Sequence, residues 1–585
     1  MYLSYITKFA MTGGAILLFF SYAWLPLRTS GIYNSPDETA VAFFSQPSEK
    51  IFDIETPDAK YRAELGGLVH PRSMIVSDGK LVPSGFLGLP WLLSLIRRAG
   101  FSLDTAELIV PILAVLAVFA WGSTVSRFFE NKWIGRVAGL LLAIHPAWIY
   151  FANRGLLPNV AFVSLLIFSA WAFTRASTSN RIRLLTMFLG GLFLGLAIFV
   201  RTNEAMWILP VVLCIALRSG WVHFLGVRTA PHRPSETYPV ASERFPLQSI
   251  YASVLGFALP IAVMFVVNAN VYGNALSFGY LLKGDALPIA VSTPFQIPQF
   301  LNSSILYFLF PFGIHEMNIL RNMWNYGFSL FWPFTVLGAL GVVLFVKRGL
   351  GHIGQMGRIG PILVAAAVSA YLLILYGSWN VTDNITPGAV TIGVSYVRYW
   401  LPIFVLATIP CAFAIWRIGV WFSEHAPVKY RRELARESFP PIAFYLLFFY
   451  GLFLSWSFVA SGSEGLRATQ NTLSDSLEKR AFILERTTES DVVITDRDDK
   501  VLFPERQVVF PFRSPATDAH LSFLVEKLND NNGHLFYWGQ KLPLTDARFY
   551  QENILSPQNL VISEEASRRD FTLYRISKFP DSLIP

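Results

Sequence analysis

The sequence predicts an α-helical polytopic membrane protein, with about eleven transmembrane helices and a small C-terminal α/β domain. The first observation is composition: of 585 residues, 53% are hydrophobic, only 15% are charged, and 50 are Phe. Second, the apolar residues are gathered in stretches close to the roughly 20 residues that a helix needs to cross a bilayer. Third, the last part of the chain loses this character and alternates helical with strand-like patterns.

The first apolar stretch, at 9–27, has the length of a membrane span or of a signal peptide. No small-x-small cleavage motif follows it, and many further apolar stretches do, so it is interpreted as an anchor. The other predicted spans are 105–124, 136–152, 157–174, 184–201, 204–218, 248–270, 326–346, 360–377, 399–420 and 440–460.

The loops between the spans differ in charge, and this difference predicts the orientation. One alternate set is rich in Lys and Arg, whereas the opposite short loops hold little beyond Arg154, Arg201 and Arg398. Because basic loops remain in the cytoplasm, we expect a multi-pass plasma (inner) membrane protein with a cytoplasmic N-terminus and an extracytoplasmic C-terminal domain. The basic loops contain Arg127, Lys132, Arg136, Arg175, Arg181, Arg183, Arg218, Arg228, Arg233, Arg244, Lys347, Arg348, Arg358, Lys429, Arg431, Arg432 and Arg436.

The net charge and the cysteine count exclude several kinds of site. The formal charge of +8 lies in short clusters between apolar stretches, which indicates membrane orientation rather than nucleic-acid binding. Cys214 and Cys411 are the only cysteines, and both lie within apolar stretches. A disulfide framework or a cysteine-ligated metal site is therefore not expected.

The expected domain organisation is a transmembrane domain at 1–460 and a soluble α/β domain at 461–585. Within the first domain, residues 28–104 form a long extracytoplasmic loop with juxtamembrane helices. The α/β domain shows helical patterns near 466–487 and 516–529 and strand-like stretches "DVVIT", "QVVF", "HLFYWG" and "FTLYRI". It has no glycine-rich phosphate loop or nucleophile elbow, so no chemistry is assigned to it.

"SPDETA", at residues 35–40, places Asp37 beside Glu38 shortly after the first span. One explanation is a helix start, since Ser35 suits the N-cap, Pro36 the first helical position and Glu38 a capping box. The other is catalysis by a carboxylate at a membrane surface. The two are compatible, because a capping box holds Asp37 in a fixed position.

Other polar residues lie near the outer ends of the predicted spans: Arg154, Asn159, Arg201, Glu204, Arg398 and Tyr399. Taken singly, each has a structural explanation, such as an interfacial arginine, a helix-end ion pair or an aromatic belt. Taken together, the topology puts a carboxylate pair and three arginines on one face of the membrane. A lipid-linked leaving phosphate needs cationic groups and an acceptor hydroxyl needs a base, so the expected partners are a polyprenyl-phosphate sugar, an extracytoplasmic acceptor and membrane lipids.

These motifs, in this order, resemble the GT-C superfamily of polytopic glycosyltransferases, in the branch of protein O-mannosyltransferases and the lipid A aminoarabinose transferase (glycosyltransferase family 39-like). The matching stretches are the Asp-Glu pair, "HPRSM", "VPSGFLGLP", "NRGLLPN", "GLAIFVRTNEAM" and "VRYWLP". The resemblance extends over about the first 460 residues.

The resemblance implies an inverting transfer of a hexosyl or pentosyl group from a polyprenyl-phosphate sugar. Asp37 is then the general base, with Glu38 a second acidic ligand or an orienting group. Arg201 and Arg398, with Tyr399 and Arg154, are candidates to hold the donor phosphate. The residues expected to bind the acceptor or to orient other groups are His70, Arg72, Asn159 and Glu204. Relatives often have an acidic residue where this chain has Asn159, which weakens the case for a divalent metal, Mg or Mn.

Other functions remain open from the sequence. A membrane transporter or lipid flippase would also need many spans, but inverted repeats and broken helices at the midplane are expected there and are not seen. A membrane-anchored scaffold would need one span, and an oligosaccharyltransferase-like enzyme would depend more on a metal. Asn380 and Asn384 begin "NVT" and "NIT" sequons on the predicted outer side.

Overall fold

The computed structural model describes residues 2–61, 65, 67–175, 179–218, 247–282, 309–349, 356–380, 389–425 and 441–579. It contains two compact units. The helical unit comprises Met1–Leu27, Glu107–Val263 and Asp285–Ala468, and the mixed unit comprises Arg28–Ala106, Met264–Gly284 and Thr469–Pro585. Predicted features that lie outside the described residues are Asn384 and the basic-loop residues Arg228, Arg233, Arg244, Lys429, Arg431, Arg432 and Arg436.

The predicted helical polytopic fold is confirmed, since helices occupy every predicted span. Four described helices are long and apolar enough to cross a membrane alone, and six spans result if each of two bent helix pairs counts as one. The helices at the predicted spans are Tyr2–Tyr22, Ile109–Phe128, Lys132–Ile144, Pro146–Ala152, Pro158–Phe173, Asn180–Val200, Ala205–Arg218, Leu247–Tyr272, Trp332–Gly349, Met356–Ser378, Leu401–His425 and Pro441–Ser461, with a π-helical turn at Met323–Ser329.

The predicted span 136–152 is broken rather than straight. Its two helices, Lys132–Ile144 and Pro146–Ala152, meet at an angle of 56°. Pro146 lacks a backbone N–H and cannot continue the preceding helix. His145 takes an extended conformation at the break, and its Nδ1 accepts from the Ala147 N–H at 3.3 Å. At the break, the His145 side chain therefore satisfies the Ala147 backbone N–H, which apolar surroundings would otherwise leave without a partner.

Small residues bring some helices of this unit into close contact. A Cβ on Gly135 would lie 2.3 Å from the carbonyl oxygen of Gly122, and one on Gly191 would lie 2.0 Å from that of Ser253. Lipid supplies little hydrophobic force between helices, so membrane helices associate through such close backbone packing. The packing fixes the helix ends from which the polar side chains described below extend.

Three arginines lie at these helix ends. Arg154 follows the helix Pro146–Ala152, and Arg201 is the C-terminal cap of Asn180–Val200. Arg398 belongs to a short helix, Ser395–Tyr399, which precedes Leu401–His425. The sequence predicted one span beginning at residue 399, whereas the structure separates Tyr399 from the long helix.

The mixed unit contains a five-stranded sheet, and the strand-like stretches predicted from the sequence are all strands. The order of the five strands in the sheet is Gln507–Val509, Val492–Thr495, Leu535–Gln540, Phe571–Lys578 and Leu560–Arg568. The first three are parallel and the last two antiparallel. The edge strand Leu560–Arg568 was not predicted, because most of its side chains are exposed or half-buried and give no apolar pattern.

Helices and a hairpin complete the mixed unit. Helices flank the sheet at Leu466–Leu484 and Leu521–Asp530, as predicted. From the first loop, the unit includes the helices Pro36–Phe44 and Gly88–Arg98 and a hairpin of Met74–Ser77 with Lys80–Pro83.

The first loop and the C-terminal segment share a hydrophobic core. Leu65 and Val69 are buried among the sheet residues Val492, Ile494 and Leu535. Val69 also forms an antiparallel bridge with Val509, at the end of a strand. A segment near residue 69 thus packs as part of the C-terminal sheet. The boundary between 1–460 and 461–585 stays a prediction.

Candidate active site

The Asp37–Glu38 pair lies at the start of the helix Pro36–Phe44, where the capping interpretation is confirmed. The Ser35 hydroxyl oxygen accepts from the Asp37 N–H at 3.2 Å, and Glu38 Oε2 accepts from the Ser35 N–H at 3.0 Å. Glu38 is only 4% exposed. The two carboxylates therefore differ: Glu38 is part of the capping box, while Asp37 is half-buried beside it.

Ser73 contacts the Asp37 carboxylate and was not predicted from the sequence. Its Oγ donates to Asp37 Oδ1 at 2.6 Å. Ser73 has a φ of +63°, an uncommon conformation for a residue other than glycine. Its position in the "HPRSM" stretch was the one available signal, and that signal did not distinguish it from its neighbours.

His70 and Arg72 come just before Ser73. The His70 Nδ1 lies 3.0 Å from the Pro71 carbonyl oxygen. Arg72 forms an ion pair with Asp499, with Nη2 2.6 Å from Oδ1, and the Asp499 side chain is fully buried. Arg72 thus has a structural partner far along the chain, which the sequence did not indicate.

In the helical unit, Arg201 and Glu204 form the predicted helix-end ion pair. Arg201 Nη2 lies 2.7 Å from Glu204 Oε1, and the side chains are 4% and 3% exposed. The Tyr376 hydroxyl donates to the same Glu204 oxygen at 2.6 Å. Glu204 Oε2 accepts from the Trp207 indole at 2.5 Å. Glu204 has several donors, as a buried carboxylate requires.

Tyr399 connects this ion pair with Arg398. The guanidinium carbon of Arg201 lies 4.9 Å from the Tyr399 ring centroid, and that of Arg398 lies 5.1 Å from it. The ring stacks on Tyr376 with centroids 4.7 Å apart and planes 10° apart. Two guanidinium groups therefore approach one aromatic ring, where cation–π attraction offsets part of their mutual repulsion.

Asn159 and Arg154 have separate contacts within the same unit. The Asn159 side-chain amide donates to the Arg398 carbonyl oxygen at 3.2 Å, so Asn159 supports the backbone that carries Arg398. Arg154 is 5% exposed, and its Nη1 donates to the Tyr150 hydroxyl at 3.3 Å. The Tyr150 hydroxyl and the Glu464 carboxylate both lie close to Gly393, and the Thr391 hydroxyl donates to Glu464 Oε2.

The structure thus groups the predicted site residues into two sets. The set in the mixed unit is Asp37, Glu38, His70 and Arg72, and the set in the helical unit is Arg154, Asn159, Arg201, Glu204, Arg398 and Tyr399. Sequence reasoning missed Ser73, Trp207 and Tyr376, whose residue types are common in loops and apolar helices. Their roles depend on contacts between separate segments.

No ligand set for a metal is found among the described residues, where no cluster of three or more His, Cys, Asp and Glu side chains has suitable geometry. Mg²⁺ is often held by one or two carboxylates together with substrate phosphates. Of the acidic pair, Glu38 is engaged in its capping box. A requirement for Mg or Mn stays a prediction.

One comparison with known proteins, a match to a family model, agrees with the resemblance seen in the sequence. Residues 84–229, about a quarter of the chain, match the family described as dolichyl-phosphate-mannose-protein mannosyltransferase. This match confirms the resemblance to GT-C glycosyltransferases. A search of curated proteins gave no match.

Two solved structures of ArnT from Cupriavidus metallidurans are similar to this chain, each with 12% identity and a TM-score of 0.49. One holds undecaprenyl phosphate, and the match covers 97% of both chains. The other is in the apo state, and the match covers 98% of both chains.

Proposed function

We propose that this protein is an inverting glycosyltransferase that moves a sugar from a polyprenyl-phosphate donor to an extracytoplasmic acceptor. The observation that carries the proposal is the pair of guanidinium groups, Arg201 and Arg398, set against Tyr399 at the ends of apolar helices. The family matched by residues 84–229 is described by transfer from a lipid-linked phosphate sugar, which supports the same reaction class.

The charges of the helical set suit a lipid phosphate. Arg201 and Arg398 contribute two positive charges, and Glu204, paired with Arg201 at 2.7 Å, contributes one negative charge. A sugar phosphodiester carries one negative charge, and the leaving phosphate monoester gains a second. Guanidinium groups already in place stabilise that developing charge without reorganisation. In this proposal, Glu204 orients Arg201, Asn159 supports Arg398, and Arg154 is a further phosphate ligand.

Asp37 is the proposed general base. Its carboxylate takes the proton of the acceptor hydroxyl while the acceptor oxygen forms a bond to the anomeric carbon. The bond from that carbon to the phosphate oxygen breaks, and its electron pair leaves with the polyprenyl phosphate. One displacement inverts the anomeric centre. The Ser73 hydroxyl, 2.6 Å from Asp37 Oδ1, orients the carboxylate.

The test is transfer by the purified protein, in native lipid extract, from a panel of radiolabelled polyprenyl-phosphate sugars. We expect labelled product from at least one hexosyl or pentosyl donor, with inverted configuration at the anomeric carbon. A folded protein that transfers no sugar from any donor, but moves labelled lipid across proteoliposome membranes, would instead support the transporter or flippase function.

We also propose that the N-terminus is cytoplasmic and that the C-terminal domain is extracytoplasmic, since the basic loops alternate along the chain. A phosphatase reporter, active only outside the cytoplasm, should be active when fused after the C-terminal domain. The same reporter inserted in the basic loop near Arg127 should be inactive. Activity of the loop fusion alone would reverse the orientation.

A further inference from the structure

We infer that the C-terminal domain positions the proposed base, through a chain of contacts from Asp499 to Arg72 to Ser73 to Asp37. The inference rests on the proposed function, since it assigns positioning roles for that reaction. All four residues belong to the mixed unit. Asp499 and Arg72 touch no reacting atom in this scheme; they act through Ser73.

The first contact is unusually complete for an ion pair. Asp499 accepts from the Arg72 backbone N–H at 2.7 Å, from Nε at 3.0 and 3.2 Å, and from Nη2 at 2.6 Å. Both side chain and backbone of Arg72 are thereby fixed to one carboxylate that is fully buried. Bidentate guanidinium–carboxylate pairs are strong and directional, so the backbone at residue 72 has little freedom.

Further contacts hold Arg72 and the segment before it on the C-terminal domain. Arg72 Nη2 donates to the Arg497 carbonyl oxygen at 2.8 Å, and the guanidinium carbon lies 4.7 Å from the Phe510 ring centroid. Three residues earlier, Val69 is bridged to Val509 and buried in the sheet core. The loop is therefore attached to the C-terminal domain at two points immediately before Ser73, one on the sheet through Val69 and one on Asp499 through Arg72.

Ser73 carries this constraint to Asp37. It follows Arg72 directly, and its φ of +63° turns the chain at that point. Its carbonyl oxygen accepts from the Ser84 N–H at 3.0 Å, which fixes the residue from the other side. Its hydroxyl then donates to Asp37 Oδ1 at 2.6 Å. A base works only when its oxygen is within hydrogen-bond reach of the proton it takes, so fixing this carboxylate has a direct effect on rate.

The residue after Asp499 supports the helix that carries Asp37. Lys500 Nζ donates to the Asn34 carbonyl oxygen, and the Thr39 hydroxyl donates to the Lys500 carbonyl oxygen at 3.4 Å. Phe43 packs edge-on against Phe503, with centroids 4.8 Å apart. The short helix Asp499–Leu502 thus contacts both the loop of Ser73 and the helix of Asp37, and sets their separation.

A double-mutant cycle on the full-length protein tests this inference. We expect Ser73→Ala and Asp499→Asn each to lower kcat by about 10- to 100-fold, with little change in the donor KM, because misplacement of a reacting group affects mainly the chemical step. If Asp499 acts through Ser73, the double variant should be no slower than the slower single variant. If the fall in kcat of the double variant instead equals the product of the two single-variant falls, the two residues act independently and the inference is overturned.

A second measurement needs no sugar donor. Carbodiimide labelling of Asp37, read by mass spectrometry, should rise to the same extent in Ser73→Ala, Asp499→Asn and the double variant. Equal rises in Asp37 labelling, found together with no sugar transfer by the wild-type protein, would support the positioning of Asp37 and reject the proposed function. Unchanged labelling in Asp499→Asn would reject the positioning, even if wild-type transfer is found.

The control is Asp546→Asn, which removes an exposed ion pair of the same unit, that of Arg513 and Asp546 at 3.2 Å. It should leave kcat and labelling at their wild-type values. Ser73→Ala leaves the pair of Arg72 and Asp499 in place, so its effect does not depend on whether Asp499→Asn is stably folded. An equal loss in Asp546→Asn would mean that any charge change in this unit impairs transfer, contrary to the inference.

Discussion

Asp37→Asn is expected to lower the rate of sugar transfer by roughly 10²- to 10⁴-fold, the usual contribution of a positioned general base. The amide has almost the shape of the carboxylate, and its oxygen can still accept from Ser73, which lies 2.6 Å away. It cannot take up a proton from the acceptor. The measurement is kcat with the donor that the wild-type protein uses, together with thermal unfolding to verify the fold.

Glu38→Gln distinguishes the two adjacent acids. Glutamine preserves a capping box, because its amide oxygen can accept from Ser35 as Glu38 does at 3.0 Å. We expect a much smaller fall in kcat than in Asp37→Asn. Equal losses in the two variants, with both proteins folded, would contradict the assignment of Asp37 alone as the base.

Arg201→Ala is expected to cost about 3–5 kcal/mol of unfolding free energy, the cost of breaking a buried ion pair. It leaves Glu204, which is 3% exposed, with a buried charge that has lost its cation. Adding Glu204→Gln should recover much of that stability, because the remaining amide is neutral. Thermal unfolding in detergent would measure both changes. A single variant as stable as wild type would contradict a stabilising role for this ion pair.

The donor-binding role of these arginines is tested separately from stability, by measuring the affinity of each folded variant for polyprenyl phosphate. Arg398→Ala, and the stabilised Arg201→Ala/Glu204→Gln variant, should each bind polyprenyl phosphate about 10- to 150-fold more weakly, since a charged hydrogen bond contributes about 1.5–3 kcal/mol. Arg398→Lys should have an affinity between those of wild type and Arg398→Ala, because lysine keeps the charge but lacks the planar guanidinium group. Arg513→Ala, at an exposed ion pair, is the control. Unchanged affinity in both donor-site variants would remove these arginines from the phosphate site.

Local patterns in the sequence predicted the parts of this protein that depend on near neighbours. The capping box involves residues 35–38, and the ion pair of Arg201 and Glu204 joins residues three apart. Helix starts and i,i+3 pairs have fixed spacings in the chain, so sequence is sufficient to find them. The spans were likewise predictable, because a bilayer imposes a length on each apolar helix.

Bends were harder to predict than spans. No pattern in the sequence predicted the break before Pro146 or its angle, which is 56° in the structure. Proline removes one backbone hydrogen bond, but the direction that the chain then takes depends on neighbouring helices. The edge strand Leu560–Arg568 was missed for a related reason: its exposed side chains carry no apolar alternation, and its pairing with Phe571–Lys578 decides its conformation.

By itself, the sequence determined that this is a polytopic membrane protein with a capped carboxylate and a set of arginines at helix ends. Tertiary structure alone decided what those groups contact. Ser73 reaches Asp37 from 36 residues away, and Arg72 pairs with Asp499 across 427 residues. Tyr376 and Tyr399 stack from different helices. No local spacing encodes such contacts, because chain segments far apart in sequence meet only when the hydrophobic cores and helix interfaces have formed.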